Sequence, residues 1–213
     1  MFFKQIQVGP MQNFSYIIGD ENSREAAVVD AGWEIEKLID IANKEKLKIN
    51  KVLLTHSHYD HVQKVNELSE KTSAVVYFHE LDSESINKSI KNSGIKIIKL
   101  KNNDEIKIGS LKIKVIHTPG HTPGAICLLV ENKLLTGDTL FVNAIGRTDL
   151  AGGDAIKLFE SLQKLKKLGD NVEVYPGHNY GEIQFSTIGR EKKTNPYFKC
   201  STKEQFLNLM GLI

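Results

Sequence analysis

The chain has 213 residues, of which 40% are hydrophobic and 25% are charged, and this composition supports a single folded α/β domain over residues 1–213. Its 28 Lys and Arg nearly balance 26 Asp and Glu, so the net charge of +2 gives no strong attraction for a polyanion and no nucleic-acid partner is expected. The sequence shows no apolar run of membrane-spanning length and no secretory signal at its start, so we expect a cytoplasmic protein without a membrane partner.

Short apolar runs and helical spacing of apolar residues predict strands and helices along the whole chain. In chain order these are strands over 3–8, 13–19 and 25–30, a helix over 34–46, a strand over 51–54, a helix over 62–70, a strand over 74–78, a helical stretch over 80–91, strands over 95–100, 105–108, 111–116, 125–130 and 133–135, a helix over 154–168, a strand over 172–175 and a helix over 203–210. Strands precede helices in both halves, which favours two packed sheets with helices outside.

Four metal-ligand side chains lie in one hexapeptide directly after the predicted strand over 51–54. The hexapeptide reads His56-Ser57-His58-Tyr59-Asp60-His61. Composition alone gives such an arrangement in roughly one of three thousand chains like this one. Because side chains fan out where a strand leaves its sheet, His56 and His58 can face one ion while Asp60 and His61 reach a neighbouring one.

Three further candidates each follow an apolar strand and a glycine. They are His121 in the run Thr118-Pro119-Gly120-His121, Asp138 in Thr136-Gly137-Asp138, and His178 in Pro176-Gly177-His178. Any one of them alone could be a turn residue that makes local hydrogen bonds. Together with the hexapeptide they favour a metal site, since imidazoles and carboxylates buried together without a cation are poorly paired.

These motifs together resemble the metallo-β-lactamase superfamily, in particular its glyoxalase II-like, short hydroxyacylglutathione hydrolase-like branch. The resemblance extends over nearly the whole chain and includes Gly146-Arg147-Thr148-Asp149. It implies a four-layer αββα sandwich with the active site at one sheet edge. It also implies a division of ligands between two ions: His56, His58 and His121 for one, Asp60, His61 and His178 for the second, and Asp138 bridging both.

The function that this resemblance implies is metal-dependent hydrolysis of a small-molecule thioester, of the S-2-hydroxyacylglutathione type. Two divalent ions, zinc in the first place with iron or manganese as alternatives, would lower the pKa of a bridging water so that hydroxide attacks the thioester carbonyl. Asp60 is the candidate to orient the hydroxide and Asp138 the candidate to fix the metal separation. Arg147 is a candidate for binding a substrate carboxylate, with a structural pair to Asp149 as the alternative. Tyr59 is a candidate pocket residue.

Two other functions stay open at the level of sequence. The tail from Ser186 to Gly211 also resembles persulfide dioxygenases, which keep the hexapeptide but bind one iron through the residues matching His56, His121 and Asp138. A structural metal module is the other alternative, although structural sites are usually closed four-ligand cages. The remaining histidines match no ligand position, and we expect His79 to start a helix and His117 to pack or to support a ligand.

Overall fold

Two six-stranded sheets form the centre of the molecule in the computed structural model, which describes residues 1–90 and 94–213. The first sheet contains, in spatial order, β1 (Phe2–Val8), β2 (Asn13–Gly19), β3 (Glu25–Val29), β4 (Lys48–Leu53), β5 (Val75–His79) and β6 (Ile97–Leu100). The second contains, in spatial order, β14 (Ser186–Thr187), β13 (Glu173–Pro176), β10 (Lys133–Gly137), β9 (Ile126–Val130), β8 (Leu111–His117) and β7 (Glu105–Ile108). A separate small hairpin pairs β11 (Leu140–Phe141) with β12 (Ala144–Ile145).

Helices cover the outer faces of both sheets. On the first sheet they are α1 (Ile35–Lys44), α3 (Val65–Thr72) and α4 (Ser83–Ser89), and on the second sheet α5 (Ala155–Leu165), α6 (Ile188–Thr194), α7 (Pro196–Lys199) and α8 (Lys203–Leu209). The single turn α2 (Tyr59–Val62) follows β4 at the sheet edge. None of the helices in the described parts of the chain combines the length and the apolar composition that a membrane span requires.

The alternation of side chains along each strand builds three apolar layers. In β3, Val28 packs toward the first sheet's helices, whereas Val29 lies in the layer between the two sheets. In β9, Leu128 faces that same middle layer, and Cys127 packs with α5 on the other side. Helix, sheet, sheet and helix therefore follow one another, and the predicted four-layer αββα sandwich is confirmed.

The strands predicted from apolar runs are confirmed with shifts of a few residues at their ends, and the predicted helices differ more. The helix predicted over 62–70 corresponds to α3, which begins at Val65 and ends at Thr72, and the helix predicted over 154–168 begins at Ala155 and ends at Leu165. The stretch predicted over 80–91 divides into a 3₁₀ turn, Glu80–Asp82, and α4, and its predicted end at Lys91 lies outside the described residues. His79 caps the 3₁₀ turn by accepting a hydrogen bond from the backbone N–H of Leu81, as expected for a residue that starts a helix.

The sequence did not predict β11, β12, β14, α6 or α7. The three strands have two residues each and the two helices have seven and four. The two-residue strands and the four-residue α7 are too short for a period to be recognised, and α6 contains a single large apolar side chain, Ile188.

Candidate metal centre

The candidate ligands lie together because strands of both sheets end at one edge. β10 and β13 are parallel, and β8 runs in the same direction because each of β8 and β10 pairs antiparallel with β9. The loops after these three strands carry His121, Asp138 and His178. The hexapeptide follows β4 of the other sheet, and its last part forms α2. The structure therefore brings all seven candidates together at this edge.

Six of the seven candidates form two compact groups. The ligand atoms of His56, His58 and His121 all lie within 4.8 Å of one another, and so do those of Asp60, His61 and His178. These are the two groups that the resemblance implied for two separate ions.

Asp138 lies between the two groups. Its Oδ2 atom is 3.9 Å from Nε2 of His56 and 3.5 Å from Nε2 of His121, both in the first group. Its carboxylate also reaches the second group, with Oδ2 3.4 Å from Nε2 of His178 and Oδ1 3.5 Å from Nε2 of His61. A carboxylate in this position can share its oxygens between two cations.

Four of the imidazoles are oriented through their Nδ1 atoms. Nδ1 of His121 lies 2.8 Å from the carbonyl oxygen of Arg147, and Nδ1 of His178 lies 2.9 Å from the carbonyl oxygen of Met11. Because a carbonyl only accepts, both Nδ1 atoms must carry the proton. Nδ1 of His61 faces the carboxylate of Asp30. Nδ1 of His56 faces the hydroxyl of Thr55, and because this hydroxyl donates its proton to Asp30, it can only accept from His56. When these rings are neutral, Nε2 is therefore the nitrogen without a proton, and it is the nitrogen that faces the site and can bind a metal.

Two supporting residues were not found from the sequence. Asp30 follows β3, accepts hydrogen bonds from the backbone N–H of Thr55 at 2.8 Å and from its hydroxyl at 2.7 Å, and lies 3.0 Å from Nδ1 of His61. Asn13 donates to Oδ2 of Asp60 at 2.8 Å. Asp30 occupies a strand end like the predicted ligands, so strand-end reasoning could have singled out the residue but not its partners Thr55 and His61.

The unpaired atoms of the site fit a metal. Among the described residues, Nε2 of His56, Nε2 of His121 and Oδ1 of Asp138 are buried and have no hydrogen-bond partner. A buried polar atom without a partner costs free energy, and cations bound between these ligands would satisfy all three atoms. The donor set of imidazoles and carboxylates suits zinc, iron or manganese.

The charges of the site also suit cation binding. Burial, and then the nearby His61, lower the pKa of His56 well below its ordinary value, and burial followed by His121 lowers the pKa of His58 to about 4. Burial raises the pKa of Asp138, but His61 and His178 outweigh it and hold that pKa below its ordinary value. The two imidazoles are therefore neutral and the carboxylate is ionised, which are the protonation states that metal ligands need.

His178 differs, because it holds a proton between two carboxylates. Burial lowers its pKa, but hydrogen bonds to Asp138 and Asp60 outweigh burial and raise the pKa to about 10. A cation that binds the same carboxylates replaces such a proton, so metal binding is expected to release it.

Glycines allow the ligand loops to approach one another. Gly137 adopts φ +48°, and a Cβ there would overlap the side chain of Thr55. A Cβ on Gly177 would overlap Oδ1 of Asp138. A side chain at either position would collide with a neighbouring residue, which explains why a glycine precedes each of these two ligands.

The two predicted substrate residues lie at the cavity beside the ligands. Tyr59 is 60% exposed, lines the cavity and donates a hydrogen bond to Sδ of Met11 at 3.0 Å. Arg147 also lines it, but its guanidinium forms a forked ion pair with Asp149, which is the structural pair considered as the alternative. His117 contacts none of the ligands; its ring stacks on His79 with centroids 4.0 Å apart.

The comparisons with known proteins agree with this geometry. A family model described as the metallo-beta-lactamase superfamily matches residues 8–178, which include all seven candidate ligands. Among curated proteins, the chain is 35% identical over 196 residues to the probable polyketide biosynthesis zinc-dependent hydrolase PksB of Bacillus subtilis, covering 92% of this chain and 85% of that protein. It is 33% identical over 206 residues to the hydroxyacylglutathione hydrolase GloC of Haemophilus influenzae, covering 90% of this chain and 94% of that protein.

Solved structures are similar over almost the full chain. The structure of ETHE1 from Myxococcus xanthus has a TM-score of 0.87 and 31% identity, with 99% of this chain and 90% of that chain covered. The structure of TTHA1623 in a di-iron-bound form has a TM-score of 0.80 and 30% identity, with 91% and 99% covered.

Proposed function

Since the chain belongs to the metallo-beta-lactamase superfamily and is a metal-dependent hydrolase of that family, we propose that it cleaves small-molecule thioesters at a two-metal centre. The observation that carries the proposal is the position of Asp138. Its two oxygens lie within 3.5 Å of Nε2 atoms from both groups of candidate ligands. His56, His58 and His121 would hold one ion, and Asp60, His61 and His178 the other.

Divalent cations held by these residues would supply a water of lowered pKa and polarise the substrate carbonyl. Asp60 would orient the attacking water. Its Oδ2 is fixed by Asn13 and lies 3.3 Å from Nε2 of His178, so its carboxylate is directed into the site. The leaving thiol has an ordinary pKa near 8.5, so a thiolate departs without a proton from the protein. No serine or cysteine nucleophile is needed, and the buried Cys127 lies away from the cavity.

The relatives support hydrolysis and leave the metal open. Both curated relatives named above are hydrolases by name, one described as zinc-dependent and the other as acting on hydroxyacylglutathione. One similar structure contains two irons. We propose two divalent ions, zinc in the first place.

A persulfide dioxygenase with one iron is the second candidate. The tail resemblance favours it, and the likeness to the ETHE1 structure keeps it open. Under that function only His56, His121 and Asp138 would hold metal. The compact group of Asp60, His61 and His178 favours the two-metal hydrolase instead.

Thiol release and oxygen uptake distinguish the two functions. Protein loaded separately with zinc, iron or manganese is assayed with S-lactoylglutathione and with simple acyl thioesters, and oxygen uptake is measured with glutathione persulfide. We expect thiol release without oxygen uptake, and its loss in Asp60→Asn and Asp138→Asn. Asp40→Asn, an exposed position on α1, is the matched control. Oxygen uptake by the iron form without thioester cleavage by any form would favour the dioxygenase.

A further inference from the structure

The cavity beside the candidate ligands has an apolar wall. Its volume is about 440 Å³, within the range of small-molecule sites. Apart from the ligands and Arg147, the described residues that line it contribute apolar or aromatic side chains or glycine. The largest are Met11, Tyr59, Phe141, Ile145, Leu150 and Tyr180. Water in such a cavity is readily displaced by a hydrocarbon group.

The same wall continues outward as an exposed apolar rim. Tyr59 is 60% exposed, Tyr180 54%, Leu150 40% and Met11 36%. Tyr180 stacks on His178, with ring centroids 4.6 Å apart and planes at 11°, and also contacts Phe141. Apolar side chains that are exposed around one cavity mark a binding surface for an apolar group.

The two cationic side chains that line the cavity or its adjoining hollow in the described part of the chain, Arg147 and Lys88, already have partners. Nε and Nη2 of Arg147 lie 2.7 Å and 2.6 Å from the two carboxylate oxygens of Asp149, so both arms of the fork are occupied. In the adjoining hollow, Lys88 pairs with Glu84 at 2.9 Å. Asp149 thus neutralises Arg147 and occupies the Nε–Nη2 edge of its guanidinium, and a substrate carboxylate that approached the remaining N–H groups would lie beside a like charge.

We propose that this site selects thioesters whose acyl group is an uncharged hydrocarbon chain, and that Asp149 is a specificity-determining residue that keeps Arg147 from binding carboxylates. The acyl chain of the substrate packs against Ile145, Leu150 and Tyr180. This inference rests on the proposed thioesterase function and names the substrate class for it.

A series of N-acetylcysteamine thioesters tests the preference, since this carrier is uncharged. The acetyl, butanoyl and hexanoyl esters are compared with the succinyl ester, which has the four carbons of butanoyl but ends in a carboxylate instead of a methyl group. We expect kcat/KM to rise about fourfold per buried methylene until the cavity is filled. The succinyl ester should be cleaved at least tenfold less efficiently than the butanoyl ester.

Two variants localise the effect. Leu150→Ala should flatten the dependence on chain length, lowering kcat/KM for the hexanoyl ester several-fold more than for the acetyl ester. Ile156→Ala is the matched control, because Ile156 is similarly exposed at 45% but lies on α5 outside the cavity lining. Asp149→Asn should raise the ratio of succinyl to butanoyl cleavage at least threefold, because it frees the guanidinium of Arg147.

The corresponding S-alkyl thioethers cannot be hydrolysed, so their binding can be measured by calorimetry even if the protein is not a thioesterase. This measurement tests the apolar site independently of the proposed function. If no thioester is cleaved with any metal but thioether affinity rises with chain length and falls in Leu150→Ala, the proposed function fails and the apolar site stands. Cleavage and binding that are independent of chain length, or a preference for the succinyl ester, would overturn the inference.

Discussion

The carboxylate of Asp30 lies 3.0 Å from Nδ1 of His61, although the two residues are 31 positions apart and Asp30 is not one of the seven ligands predicted from the sequence. The same carboxylate accepts two hydrogen bonds from Thr55, the residue before the hexapeptide. Asp30 thus fixes both the start of the hexapeptide and the imidazole at its end. Carboxylates in this position orient a metal-binding histidine and increase its basicity.

Asp30→Asn is expected to lower metal affinity about 10- to 100-fold while the fold is retained. Asn has the same shape and tolerates the φ of +57° at this position, but it is neutral and pairs less well with His61. Competition against a chelator measures the affinity. Asp40→Asn should leave it unchanged, and an Asp30→Asn protein with unaltered affinity would remove the orienting role.

The sequence predicted the candidate ligands because each is a ligand-type residue placed directly after an apolar strand. Asp138 and His178 follow β10 and β13, and such strand ends are visible in one dimension. Their convergence also required the parallel pairing of those two strands, which the sequence suggested only through the resemblance.

The residues that the sequence did not predict depend on long-range register. Asp30 reaches Thr55 because β3 pairs with β4 so that Val29 lies opposite Leu53. The carbonyl of Met11 holds His178 across 167 positions of sequence. No local period reports such pairings, so supporting hydrogen bonds and cavity walls appear only once the sheets are assembled.

Metal content is expected to be two ions per chain, and removing them is expected to destabilise the protein. Ions that bind only the folded state add about 2.7 kcal/mol when the free metal is a hundredfold above its Kd. Elemental analysis gives the count, and thermal unfolding before and after dialysis against a chelator gives the stability change. A count of one with full activity would contradict the two-metal centre.

Gly177→Ala should damage the site more than the fold. The φ of Gly177 is not positive, so alanine suits the backbone, but its Cβ would overlap Oδ1 of Asp138 and approach Cε1 of His61 at 3.0 Å. We expect a stability loss of about 1–3 kcal/mol from overpacking and at least a tenfold loss of activity.

Gly169→Ala is the matched control for this substitution. Its Cβ would meet Oδ1 of Asn171 at 3.0 Å, the end of a side chain that can move. Activity should therefore persist in Gly169→Ala. Equal activities of the two variants, measured with saturating metal, would show that the space beside Asp138 is not needed.

Asp20 is expected to make the free energy of unfolding fall when the pH is lowered into the acidic range. It follows β2 of the first sheet and accepts hydrogen bonds from the backbone N–H of Ser110, at 2.6 Å, and from its hydroxyl, at 3.0 Å, in the turn between β7 and β8 of the second sheet. The N–H of Ser110, followed by that of Asn22, lowers the pKa of Asp20 from 3.8 to about 2. The carboxylate therefore links the two sheets in its ionised form.

A folded-state pKa below the unfolded value means that this stabilisation is complete above about pH 4 and is lost as the pH falls toward 2. Asp20→Asn should consequently unfold at lower urea than the wild type at neutral pH, and the difference between the two should shrink across that interval. Urea titrations of metal-free protein at several pH values test this without interference from the metal site. Ser110→Ala keeps the backbone donor and should retain most of the pH dependence, whereas a wild-type to Asp20→Asn difference that is constant with pH would contradict the link.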